Sequence, residues 1–92
     1  MKAVVLYTPG PDVLERAPLH FAAHSARCDE FHAAGTLLMV GTFADPVTQG
    51  SMAIFTTREA AAAFVAGDPF VVEGVVASYE IREWDEVYAA PS

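Results

Sequence analysis

Residues 36–56 read Thr36-Leu37-Leu38-Met39-Val40-Gly41-Thr42-Phe43, Ala44-Asp45-Pro46-Val47-Thr48-Gln49-Gly50 and Ser51-Met52-Ala53-Ile54-Phe55-Thr56. Two apolar runs flank seven residues rich in turn formers, so the segment predicts a strand, a turn and a second strand that pairs back as a hairpin. The first run, Thr36 to Phe43, is apolar almost throughout. That pattern predicts a strand covered on both faces.

Helical sequence lies on either side of this hairpin. From Pro18 to Ala34 the spacing is helical, a rod of about 25 Å, and Gly35 suits its C-terminal stop. Asp12 to Arg16 predicts a turn of helix that Pro18 interrupts or restarts. On the far side Thr57 has the chemistry of an N-cap, Arg58-Glu59 opens a helix through the alanine run to Ala66, and Gly67 ends it. A β-branched and aromatic strand, Lys2 to Thr8, precedes the first helix and stops at Thr8-Pro9-Gly10-Pro11. After the second helix comes a loop or short extra turn, Asp68 to Gly74. Val75, Ala77, Tyr79 and Ile81 then alternate with Val76, Ser78, Glu80 and Arg82, the period of a half-buried strand, which the apolar content extends through Trp84 to Tyr88.

The order β-α-β-β-α-β is the split βαβ arrangement: an α+β, ferredoxin-like sandwich with four antiparallel strands and both helices on one face. The other face would carry Val4, Leu6, Met52 or Ile54 and need a lid. A second copy of the sheet is the simplest lid, so a homodimer is expected. Leu37, Met39, Phe55 and Tyr79 are expected to matter to folding.

The chain has 92 residues, enough for one domain spanning residues 1–92, and it is 53% hydrophobic. Chains of this size bury only about 60–65% of the surface exposed on unfolding, which again favours a partner subunit. Five Lys plus Arg against twelve Asp plus Glu leave a net charge of −7. That sign repels phosphate backbones, so no nucleic acid is expected as partner. No apolar run approaches the roughly 20 residues of a membrane helix, and the N-terminus resembles a strand more than a signal peptide. A soluble, cytoplasmic protein with no membrane partner is expected. The lone Cys28 excludes an intrachain disulfide and a multi-thiolate metal site, and reads as small apolar filler.

Two positions carry possible chemistry. His24 shares one face of the first helix with His20, Arg27 and Phe31, flanked by Phe21 and Cys28. An imidazole among apolar side chains must satisfy both ring nitrogens, since an unpaired one costs about 1–3 kcal/mol. It is either a core histidine bonded to a backbone carbonyl or a proton-transfer group. Asp68 opens Asp68-Pro69-Phe70 directly after the alanine-rich helix, where an aspartate is either a turn former or a carboxylate at a loop entrance. Arg27 is a candidate contact for an anionic substrate group, or a surface partner of Glu30 or Asp29. His20 and His24 are spaced four apart and face one way, but a third metal ligand would have to come from a distant acid. No metal and no cofactor is expected. Phosphate loops, Gly-x-Ser-x-Gly elbows and activated Cys-His spacings are missing from the sequence. His32 lies off this face and is expected to be solvated.

The ordered set His24-x-x-Arg27, Phe31-His32-Ala33-Ala34-Gly35-Thr36-Leu37-Leu38-Met39-Val40-Gly41 and Asp68-Pro69-Phe70-Val71-Val72-Glu73-Gly74-Val75 resembles the YCII-related family, from the first strand to Trp84. The resemblance implies a dimeric α+β barrel of ferredoxin-like subunits. It also implies an active-site dyad of His24 and Asp68. The loop Asp45 to Gly50 is short, so substrate identity does not carry over. The expectation is therefore a small cofactor-free enzyme that performs general acid/base chemistry, elimination or isomerisation, on a small organic substrate, cyclic or aromatic ones included. The alternative is a dimeric module, stress-related or otherwise, that binds a small molecule without turning it over.

Overall fold

The computed structural model describes residues 1–91. Four strands, β1 (Lys2–Pro9), β2 (Leu37–Thr42), β3 (Ser51–Phe55) and β4 (Val76–Trp84), form one sheet in the order β2-β3-β1-β4, every pair antiparallel. Between them run α1 (Val13–Ala33), the single turn α2 (Pro46–Gln49), α3 (Arg58–Gly67) and the single turn α4 (Pro69–Val72). This is the ferredoxin-like α+β topology that the order of elements predicts.

Strand β1 sets the two faces. Its residues alternate, with Ala3, Val5 and Tyr7 buried and Val4 and Leu6 half-buried on the opposite side. The inward set packs with Leu37, Ala53 and Phe55 of the neighbouring strands and with Ala61, Phe64 and Val65 of α3. Cys28 and Phe31 of α1 pack against the same cluster, so both long helices cover one face. Phe31, Phe55 and Phe64 close the layer, with the Phe31–Phe64 and Phe55–Phe64 ring centroids both 5.2 Å apart. Each buried ring contributes roughly 1.5–3 kcal/mol from removal of apolar surface.

Local chemistry explains where the elements start and stop. The Thr57 side chain accepts the Ala60 N–H at 3.1 Å, which caps α3. Gly35 at φ 84° ends α1, and Thr36 N–H reaches back to the Phe31 carbonyl. Gly50 is required on two counts: its φ is 79°, and a Cβ there would stand 2.0 Å from the Tyr7 carbonyl oxygen.

Several expectations need correction. Helix α1 runs unbroken through Pro18 from Val13. Pro18 lies in its second turn, where the missing donor forfeits one bond, and Arg16 ties that end to the Glu73 carbonyl. The Asp45 to Gly50 turn contains the helical turn α2, with Pro46 at its start. Asp68 to Gly74 holds α4, the short extra turn expected there. Strand β4 ends at Trp84 rather than Tyr88; beyond it Glu86 pairs with Lys2.

The larger correction concerns β2. It is an edge strand in which only Leu37 is buried, and Met39 is 68% exposed. A run of apolar residues reports what a strand can bury, while sheet order decides whether anything lies beside it. Tyr79, on the opposite edge, is 46% exposed for the same reason. Of the four residues named as fold determinants, Leu37 and Phe55 lie in the core and Met39 and Tyr79 do not.

Candidate active site

Asp68 occupies the junction of α3 and α4, serving as C-cap of one and N-cap of the other. Its side-chain Oδ1 accepts the Phe70 N–H at 3.1 Å, so the aspartate is the turn former that local sequence suggested. It is also fully buried, the one charged residue in the buried set among the described residues. Its burial is tolerable because three donors surround it. Oδ1 additionally faces His24 Nδ1 at 2.7 Å, and Oδ2 accepts the Tyr7 hydroxyl at 2.5 Å. Among the described residues no buried side-chain nitrogen or oxygen lacks a partner.

His24 meets this carboxylate across 44 residues of chain. The ring lies between the Phe70 ring, stacked at a centroid distance of 3.9 Å, and the thiol of Cys28, whose Sγ is 3.7 Å from Nε2. Its side chain is 15% exposed, so one end remains reachable. Burial by itself lowers the imidazole pKa. Hydrogen bonds to Asp68 and Cys28 and the carboxylate charge outweigh it, and the pKa rises from 6.5 to about 9. At neutral pH the ring is therefore an imidazolium whose Nδ1–H donates to Asp68. Burial, then the Asp68 bond, push the Tyr7 hydroxyl well above its ordinary value, so it stays protonated and donates.

The reachable end of the ring opens on a cavity of about 310 Å³. One face of α1 supplies Phe21, His24, Ser25, Cys28 and Asp29, at the i, i+3, i+4, i+7, i+8 spacing of a helix stripe. Val5, Tyr7 and Ala53 of the sheet, the β2 edge at Val40 to Thr42, and the Phe64 and Phe70 rings complete the walls. The space is mostly apolar with a few polar groups, the usual character of a small-molecule site.

Tertiary structure thus brings His24 and Asp68 together. Arg27 is elsewhere: Nε donates to the Phe64 carbonyl at 3.0 Å and Nη2 to the Ala63 carbonyl at 2.8 Å, and the guanidinium sits 4.9 Å from the Phe31 ring centroid. It holds α1 against the C-terminal end of α3 and does not line the cavity. His20 does not line it either, and His32 Nδ1 lies 3.0 Å from the Leu37 carbonyl. Among the described residues no group of three or more His, Cys, Asp or Glu is placed to hold a metal ion, and no helix is long and apolar enough to cross a membrane. Cys28, expected as filler, is a cavity-wall residue in contact with His24. Sequence reasoning missed Tyr7 altogether. The only available signal was its place at the end of the Ala3, Val5, Tyr7 alternation, which puts a hydroxyl at the edge of an apolar face.

Comparison with known proteins bears on the fold and the family. No curated protein matches the chain. Among solved structures, the 5-chloro-2-hydroxyhydroquinone dehydrochlorinase (TftG) from Burkholderia phenoliruptrix AC1100, in complex with 2,5-dihydroxybenzoquinone, is similar with a TM-score of 0.72. The two sequences are 23% identical over 92% of this chain and 94% of that one, a likeness that establishes the shared fold. The model of the YCII-related domain matches residues 1–85, nearly the whole length, and the chain belongs to the YCII-related family.

Proposed function

We propose that the protein is a cofactor-free acid/base catalyst of elimination or isomerisation on a small organic ring. The observation that carries this reading is the buried Asp68 carboxylate, whose Oδ1 is 2.7 Å from a His24 ring that opens on an apolar cavity. An imidazolium at neutral pH acts first as an acid. Nε2–H protonates a substrate oxygen or a departing group, and the neutral ring left behind accepts a proton from substrate carbon. The two transfers return the ring to its starting state, so no external acceptor is consumed. Asp68 keeps Nδ1 protonated throughout and stabilises the charge that returns. Positioned proton transfer of this kind is worth about 10²–10⁴-fold in rate.

The class of chemistry is supported by TftG, whose name records loss of hydrogen chloride from a hydroxylated ring and whose bound ligand is a quinone. Elimination balances in the same two transfers: the halide leaves with the proton given by Nε2, and the ring recovers one from the substrate. The test is chloride release from 5-chloro-2-hydroxyhydroquinone and a panel of other halogenated hydroquinones. Turnover that vanishes in folded His24→Ala and Asp68→Asn supports the reading. Turnover that survives in both folded variants overturns it. A ligand bound with unchanged affinity by both, and never converted, points to a binding module.

A second copy of the chain is proposed as the cover of the outer sheet face. Val4, Leu6 and Ile54 are half-buried there, and Met39 and Met52 are exposed beside them. The paired register Val4–Ile54 and Leu6–Met52 makes this one continuous apolar strip. A homodimer should appear in sedimentation at micromolar protein, and a chain that stays monomeric there would count against it.

A further inference from the structure

We infer that Tyr7 is a positioning residue for the His24–Asp68 pair: its hydroxyl engages Oδ2 of Asp68, leaves Oδ1 to the imidazole, and thereby holds the shared proton on the ring. The inference rests on the reading of His24 as the proton-transfer group.

The geometry is over-determined at both ends. Tyr7 sits on the central strand β1, paired with Ser51 of β3 and Tyr79 of β4, and its backbone is pressed against Gly50 so closely that no side chain fits there. Asp68 is held by its place between α3 and α4 and by the Phe70 N–H. A carboxylate with one oxygen unengaged is free to turn and offer either oxygen to a neighbour. With the hydroxyl on Oδ2, and the ring and the backbone N–H on Oδ1, rotation breaks every bond at once.

Electrostatics gives the hydroxyl a second effect. When the ring is an imidazolium, Asp68 has a full positive charge beside it. When the ring is neutral, the buried carboxylate carries its charge with only uncharged donors for support: the Nδ1–H of the ring, the Tyr7 hydroxyl and the Phe70 N–H. The hydroxyl therefore stabilises the deprotonated pair more than the protonated one. It weakens the hold of the pair on its proton and makes the imidazolium a better acid. Other titratable groups near the pair are the Cys28 thiol and the Asp29 carboxylate on α1 and the Tyr79 hydroxyl on β4. None of them makes a hydrogen bond to Asp68, and all are unchanged by substitution at position 7.

The experiment is an NMR titration of the His24 ring in the full chain, comparing the unaltered protein, Tyr7→Phe and a protein with 3-fluorotyrosine at position 7. Loss of the donor should raise the His24 midpoint by about one pH unit, the scale of a hydrogen bond to a charged group. The fluorinated ring is a stronger donor and should move the midpoint the other way. A role in packing alone predicts no opposed shifts. Should Tyr7→Phe fail to fold, the fluorinated protein decides, because it keeps the ring and the bond. Midpoints that coincide in all folded forms overturn the inference. Opposed shifts in a protein that converts no substrate would sustain the role of Tyr7 while sinking the proposed catalysis.

Discussion

The His24 imidazole lies flat over the Phe70 ring, with planes 1° apart and centroids at 3.9 Å. The Asp-Pro-aromatic segment thus supplies both a carboxylate for the ring's edge and an apolar plate for its face. A cation over an aromatic face gains about 0.5–2 kcal/mol, more when water is excluded. Phe70→Leu keeps the bulk and removes the quadrupole, so the His24 midpoint should fall by about half a unit to one unit. An NMR titration reads this directly, and an unchanged midpoint would show that the stack is only packing.

Stability should depend on pH through the same ring. The folded-state pKa of His24 is about 9, against 6.5 for the ordinary side chain. Between those values the folded chain holds a proton that the unfolded chain has lost, so the pair's contribution is complete below pH 6.5 and disappears as pH rises through about 9. Urea unfolding at pH 6 and pH 9.5 should show the unaltered protein losing stability across this window and His24→Gln losing much less. Parallel curves for the two proteins would remove the basis for the raised pKa.

Arg27 should behave as a helix clamp. Its two bonds to the carbonyls of Ala63 and Phe64 satisfy the end of α3 just before Asp68. Arg27→Ala should cost about 1–3 kcal/mol of stability, and Arg27→Lys should recover only part of it, because an ammonium lacks the planar fork. An anion contact would instead show a raised KM with the stability of the protein intact.

The difference between core and edge should appear in a pair of truncations. Phe55→Ala, at a fully buried ring, should cost about 3–5 kcal/mol. Met39→Ala, at an edge position exposed in the single chain, should change the stability of the dissociated chain by less than about 0.5 kcal/mol. Ile54→Glu on the outer face should abolish self-association and leave the His24 titration in place. Chemical denaturation and sedimentation at matched concentrations measure these outcomes.

The topology was readable along the chain because its causes are local. Thr57 caps α3 with its own hydroxyl, Gly35 takes the left-handed turn that ends α1, and the alternation Ala3, Val5, Tyr7 is a period-two strand whatever lies above it. The same logic misjudged β2, whose apolar run says nothing of its neighbours, and Pro18, whose lost bond a long helix absorbs. His24 and Asp68 were visible as candidates, and each local reading of Asp68 as a turn former was also true.

The sequence by itself determined the order of elements and the capping residues, since these follow from propensities and spacing within about ten residues, and its resemblance to the YCII-related family singled out His24 and Asp68 among the open local readings. Only the tertiary structure decided that Tyr7, His24, Asp68 and Phe70 share one hydrogen-bonded and stacked cluster, that Arg27 faces away from the cavity, and that Cys28 borders it. Those relations join β1, α1 and the α3–α4 junction. They depend on burial and on charge in a medium of low dielectric, quantities that no short window of sequence contains.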